Sequence, residues 1–381
     1  WLMSTTVAAA CVGRLLDVVA SRGYHRDLVD LLRSPFVFAD LAAEQRQADP
    51  LVARATAERF SQALLAHGTT AAAVFPTVHK VSADALFESA ANRGMRILTG
   101  KVLMDRHAPP GLVDTVETAE RDSVDLLERW HGQGRSSYAH TVRFAPTSTP
   151  SQLRLAARLL ETWPGSYLQT HVAENRAEVQ WVAELFPQSR SYLSVYADHG
   201  LLGDRSILAH GIWFDEVDRA LLGRCRSVVA HCPTSNLFLG SGLMDWRALA
   251  SDGIAVAMAS DVGGGTSLSM LRTLAAAYQV QALQGVRLPA WAALYAATAG
   301  AARALHLDDE IGRLEPGLMA DVCVWNWAVG DVATHRDALL QAAGRPLHDR
   351  VFSFLTLGDE RNLLETWVAG VRRHAAPGFR A

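Results

Sequence analysis

Three segments of the chain each place a side chain suited to metal binding at the end of a short apolar run. They are Leu168-Gln169-Thr170-His171, Ile207-Leu208-Ala209-His210 and Ala259-Ser260-Asp261. Two imidazoles and a carboxylate meeting at one point would suit a catalytic Zn²⁺, which takes three protein ligands and keeps one position open for water. Such an ion lowers the pKa of its bound water to about 7, so the chemistry is metal-assisted hydrolysis at an electrophilic carbon. Glu174 follows His171 by three residues. It can reach the same cavity without being a ligand and is placed to move protons between water and a leaving nitrogen. Asp261 can hold the ion, the attacking water or both.

Other residues at apolar-run ends are candidates for substrate contact. Arg143-Phe144 offers a guanidinium for a substrate carbonyl and an aromatic wall for a flat ring; it reads equally as a surface Arg beside a core Phe. His231, in His231-Cys232-Pro233-Thr234-Ser235-Asn236, touches substrate or simply caps a turn. A lone strand-end His is more often a hydrogen-bonded interior residue than a ligand. Two His and an Asp at three strand ends of one barrel reverse that expectation. Gly263-Gly264-Gly265 lack the Lys-Ser/Thr or the spacing of a phosphate loop and read as a tight loop close to a ligand.

These side chains need elements that bring distant segments to one face. Asp49-Pro50 and Thr149-Pro150 each pair an N-cap with a Pro at the first helical position. Apolar runs of strand length then alternate with helix-type patterns from Thr69 to Asp261. The strands are Thr69–Phe75, Met95–Met104, Tyr138–Phe144, Tyr167–His171, Ser206–His210, Ser227–His231 and Ile254–Asp261. Ser82 is read as the cap of the helix ending at Gly94, and Pro289 to Leu305 as one helix. Strict alternation means parallel strands with crossover helices. Seven strands, with Thr5 to Val12 as an eighth, predict an α/β fold: a closed (β/α)8 barrel of the TIM type over residues 1–307. In that architecture the C-terminal strand ends carry the active site. Residues 308–381 change texture: Ala320–Trp325 and Glu365–Val371, with Gly370 in a turn, read as strands of a partial small β appendage, with a C-terminal helix.

Composition narrows the classes. The 381 residues are half apolar and carry a net charge of -3, which argues against a nucleic-acid surface or a polybasic anchor. No apolar stretch reaches the length of a membrane span. Thr5 to Val12 lacks a basic n-region and is followed at once by Arg14 and Asp17, so it does not read as a signal peptide. Cys11, Cys225, Cys232 and Cys323 form no C-x-x-C pair and read as reduced thiols of a cytoplasmic protein.

Several stretches resemble the guanine deaminases, members of the amidohydrolase superfamily of metal-dependent (β/α)8 barrels. They are Gly100 to Arg106, Arg143 to Ser148, Thr170-His171 with Glu174-Asn175-Arg176, Leu208 to Gly211, His231 to Gly242, Ser260 to Ser267, and Leu314 to Gly317 with Ala320-Asp321. The resemblance covers nearly everything from Leu16 onward. It implies that His171, His210 and Asp261 are zinc ligands, one ion per chain. It makes Glu174 the proton-shuttling acid, has Asp261 assist the attacking water, and makes Arg143 and Phe144 guanine-binding positions; His171 and His231 are candidates for substrate contact from their strand-end places. The implied reaction removes the amino group of guanine to give xanthine and ammonia. The implied partner is a small purine, with a homodimer an admissible assembly. Related aminohydrolases acting on other amino-purines, pterins or triazines are the neighbouring reading.

One departure stands out. The family's first strand ends in an H-x-H pair of zinc ligands followed by a substrate-binding Gln, and those positions fall here on Ala10, Val12 and Leu15. The family's upstream β segment also has no counterpart. A truncated start, a shifted frame and a divergent, metal-poor and inactive paralogue are all consistent with this. Three ligands remain, the minimum for a catalytic zinc, and weaker metal affinity is expected.

Overall fold

The computed structural model describes residues 44–379. Within it, a sheet of parallel strands alternates with helices. The order begins with α1 (Pro50–Ala66), β1 (Ala71–Val74), α2 (Lys80–Arg93), β2 (Arg96–Thr99), β3 (Val102–Leu103), α3 (Val116–Trp130) and β4 (Ser136–Phe144). It continues with α4 (Pro150–Thr162), β5 (Tyr167–Val172), α5 (Arg176–Leu185), α6 (Tyr192–Asp198), β6 (Ser206–His210), α7 (Glu216–Cys225) and β7 (Val228–His231). Then come α8 (Pro233–Leu239), α9 (Trp246–Ser251), β8 (Val256–Met258), α10 (Met270–Leu283), α11 (Ala290–Ala296) and α12 (Ala299–Ala304).

The strands pair in the order β1-β2-β4-β5-β6-β7-β8, with β3 joined to β4. Every pairing is parallel. Seven strands in sequence order with helical crossovers form the wall of a TIM-type barrel. The expected first strand, Thr5–Val12, and the positions Ala10, Val12 and Leu15 lie outside the described residues.

Helix starts follow local chemistry. Asp49 accepts a hydrogen bond from the Leu51 amide at 2.8 Å, and Thr149 caps α4 through the Gln152 amide at 3.3 Å, each ahead of a Pro. The second helix starts earlier than its sequence suggests. His79 is its N-cap, and Ser82 is buried inside it. The run Met95–Met104 is broken at Gly100, where a Cβ would stand 2.2 Å from the Ala139 carbonyl oxygen. That closeness to β4 admits only glycine and splits the run into β2 and β3. The helix expected from Pro289 to Leu305 is also two, α11 and α12, parted at Ala297-Thr298.

Alternation along each strand sorts side chains between two cores. On β5, Leu168 and Val172 pack outward with Leu153 and Leu193 under the helices. Tyr167 points inward with Leu98, Ala139, Ile207 and Ala230. Gln169 also faces inward, donating through Nε2 to the Val74 carbonyl and Thr141 Oγ1, both at 2.8 Å. Each fully buried Leu of the outer layer contributes about 1.5–3 kcal/mol, so this layer fixes the strand ends.

A second sheet of three antiparallel strands, β9 (Val322–Trp325), β10 (Leu363–Val368) and β11 (Val371–Ala375), has β10 at its centre. In the segment Glu365–Val371, β10 ends at Val368 and the chain turns at Ala369-Gly370, both with positive φ, into β11; Gly370 lies in a turn as expected. Helices α13 (Asp331–Ala342) and α14 (Leu347–Leu357) lie between β9 and β10. Val351 and Leu355 of α14 pack on Leu271, Leu274 and Ala277 of α10. Arg135 reaches across from the barrel to Glu310 and Asp321 at 2.6 and 2.9 Å. Among the described residues, no helix is long and apolar enough to cross a membrane.

Candidate metal centre

His171 is the penultimate residue of β5, in phase with the inward-facing Gln169. Strict alternation would send His210 outward with Leu208, but His210 has φ of 73°. This left-handed backbone, uncommon for a non-glycine residue, breaks the alternation at the last strand position. The His210 ring stacks on that of His171, with centroids 5.4 Å apart and planes 23° apart. Asp261, beyond β8, has φ of 49°. Strain of this kind persists where surrounding contacts over-determine it, commonly at functional sites.

The result is one cluster. A ligand atom from each of His171, His210 and Asp261 lies within 4.8 Å of the other two. His210 Nε2 is 3.9 Å from Asp261 Oδ2 and 3.7 Å from Glu174 Oε2. Among the described residues, no Lys or Arg pairs with either carboxylate. Burial lowers the pKa of His171, helped by the neighbouring His210, and lowers that of His210 to about 4. Both rings are therefore neutral at pH 7, each with one nitrogen lone pair to give. His171 Nδ1–H donates to the Arg143 carbonyl at 2.6 Å, which leaves Nε2 as its lone-pair nitrogen. Burial raises the pKa of Glu174, while a hydrogen bond from Ser241 to Oε1, at 2.8 Å, opposes the rise. A carboxyl group so placed can take and return a proton.

Residues 19–372 match the amidohydrolase family. The chain belongs to that family. Its relatives include the guanine deaminase of Escherichia coli (strain K12), 44% identical over 327 residues, which cover 86% of this chain and 74% of that one. The probable guanine deaminase of Deinococcus radiodurans is 41% identical over 288 residues, covering 75% and 65%. Among solved structures, the E. coli guanine deaminase superposes with a TM-score of 0.85 at 43% identity over 87% of this chain and 77% of that one. A guanine deaminase from C. acetobutylicum with guanine bound in its active site gives 0.81 at 28% identity, over 91% and 80%.

In this amidohydrolase the remaining candidates fall at the same strand ends. Arg143 and Phe144 close β4, and Phe144 pairs in register with His171. The Arg143 guanidinium lies 3.5 Å from Glu44 and 3.9 Å from Met104 Sδ. Phe144 meets Trp181 edge-on at 6.2 Å, and His107 lies 5.4 Å from the same Trp. His231 is not part of the metal-type cluster. It is wholly buried, edge-on to Trp246 at 6.0 Å, and both ring nitrogens lack a partner. Burial lowers its pKa to about 3.

Three further residues belong to the site and were not singled out from sequence. Phe75, just past β1, lies 4.6 Å from the His171 ring; its place at the end of an apolar run was a readable signal. Ser241 and Asn236, which contact Glu174 and His210, sit in the His231–Gly242 run, where nothing in residue type marks them. The Gly263–Gly265 loop packs against the cluster: a Cβ on Gly264 would stand 2.6 Å from Ser235 Oγ and 3.3 Å from Asp261 Oδ2.

Proposed function

We propose that this chain hydrolyses guanine to xanthine and ammonia, using a zinc ion held by His171, His210 and Asp261. The observation that carries the reading is the convergence of these three groups within 4.8 Å, with Glu174 beside them at 3.7 Å from His210 Nε2. Kinship with guanine deaminases, one of them solved with guanine in its active site, supports the substrate.

The donor set fits the ion. His171 has Nδ1 engaged elsewhere, His210 turns Nε2 towards the carboxylates, and no Lys or Arg among the described residues pairs with Asp261. When bound, zinc supplies Lewis acidity that brings the pKa of a coordinated water to about 7. Asp261 orients the attacking water. Glu174 takes one proton of that water and passes it to the ring nitrogen beside the attacked carbon, then takes the second from the newly attached hydroxyl and delivers it to the amino nitrogen. The new carbon–oxygen bond replaces the carbon–nitrogen bond, and ammonia leaves. Arg143 bonds the purine carbonyl and Phe144 stacks on the ring. His231 lies behind this shell, next to His210. A cytoplasmic setting accords with the free thiols of Cys225, Cys232 and Cys323.

The test is to incubate the zinc-loaded chain with guanine and measure xanthine and ammonia together. Equal release of both supports the reading. Release of ammonia from another amino-purine, pterin or triazine but not from guanine would replace the substrate while keeping the chemistry.

A further inference from the structure

The two imidazoles of the cluster are held in different ways. His171 Nδ1 faces a backbone carbonyl, which can only accept, so its proton is on Nδ1. His210 Nδ1 instead faces a side chain, the amide of Asn236, at 2.9 Å from Nδ2. Asn236 is 2% exposed, and its Oδ1 has no partner. An amide presents a donor at one end and an acceptor at the other, in nearly the same shape.

With Nδ2 towards the ring, Asn236 donates to Nδ1, and the His210 proton must sit on Nε2, pointing at Glu174 and Asp261. In that tautomer His210 has no lone pair for a metal. A half-turn of the amide brings Oδ1 to Nδ1–H and frees Nε2 as a ligand. We infer that Asn236 is the positioning residue that lets His210 present Nε2 to a metal, by accepting the Nδ1 proton through Oδ1. The inference rests on the metal site proposed above. The same amide satisfies His210 in either tautomer, so the ring stays hydrogen-bonded with the ion absent or present. Asn236 is also tied to the proton-handling side of the site. The Ser241 amide donates to the Asn236 carbonyl at 2.9 Å, so one short segment carries the partner of His210 and the partner of Glu174.

Substitution separates orientation from packing. Asn236→Asp can only accept when ionised, so it holds the Nδ1–H tautomer, whereas Asn236→Leu and Asn236→Ala offer the ring nothing. The measurement is the zinc dissociation constant of the full chain, by competition with a chromogenic chelator, alongside thermal melting of the metal-free proteins. Loss of an outer partner of a ligating His weakens metal affinity by roughly 10–100-fold. That loss is expected for N236L and N236A, with N236D remaining close to the unsubstituted chain. The inference is overturned if N236A or N236L binds zinc as tightly as the unsubstituted chain. It is overturned equally if N236D, melting normally, loses as much affinity as N236A. An unsubstituted chain that takes up no zinc would overturn the metal site itself, a result distinct from tight zinc binding that is indifferent to residue 236.

Discussion

Ser241 Oγ donates to Glu174 Oε1 at 2.8 Å, leaving the other carboxylate oxygen, Oε2, 3.7 Å from His210 Nε2. The hydroxyl fixes which oxygen faces the cluster and favours the ionised form of a carboxyl that burial would otherwise protonate. Ser241→Ala should lower kcat for guanine with KM and zinc content little changed. Hydrogen bonds to charged groups contribute about 1.5–3 kcal/mol, or roughly ten- to a hundredfold in rate. A raised KM at unchanged kcat would show that Ser241 acts on binding and not on the acid.

In the proposed mechanism, Glu174→Gln removes the group that carries the proton but keeps its shape. General acid–base help is worth roughly 10²–10⁴ in rate, and a loss in that range is expected with zinc content intact. An amide variant retaining more than about a tenth of the activity lies outside that range, and the shuttle would then be another residue.

Arg143 sits at the strand end beside Phe144 and gives its backbone carbonyl to His171, so truncating its side chain spares that hydrogen bond. Arg143→Ala should raise KM for guanine roughly tenfold or more, the value of one charged hydrogen bond, with zinc binding unchanged. Steady-state kinetics decide this, and an unchanged KM would remove Arg143 from the substrate contacts.

Much of this arrangement was legible because strand length, caps and alternation are local properties. Strand Ser206–His210 has the bounds its sequence indicates, and His171 points inward as the parity of Gln169 requires. The turn of His210 into the cavity was not legible, since φ of 73° follows from packing around the strand end and not from residue type. Gly100 carried a signal, but its meaning depended on the Ala139 carbonyl, a partner distant in sequence. Helices α13 and α14 lie before the last two strands, where only a C-terminal helix was expected; α13 buries only Ala333 and Leu340, too little for an apolar stripe to mark it. Asn236 and Ser241 are ordinary polar residues until the fold sets them against His210 and Glu174.

Buried imidazoles should make the metal-free fold acid-sensitive. His140 lies inside the barrel wall with Nε2 3.0 Å from Ser166 Oγ, and burial lowers its pKa from 6.5 to about 3. The unfolded chain then binds a proton that the folded chain refuses between those values. The stabilising contribution is therefore whole above pH 6.5 and is lost as pH falls towards about 3. One such group gives a slope of up to about 1.4 kcal/mol per pH unit. His231 and His210 share part of this window, so His140→Asn should remove one proton's share of the slope in urea unfolding. Equal slopes for the two proteins would mean that His140 is protonated in the fold.

Guanine turnover as a function of bound zinc tests the central claim most directly. The full chain, stripped with a chelator and titrated with zinc, is assayed at each step for xanthine formation and for metal content. The account predicts no turnover without metal, activity rising in proportion to bound zinc up to one ion per chain, and loss of both in His210→Ala. Guanine turnover by the stripped chain, or a chain with one zinc bound at His171, His210 and Asp261 that leaves guanine untouched, would contradict it.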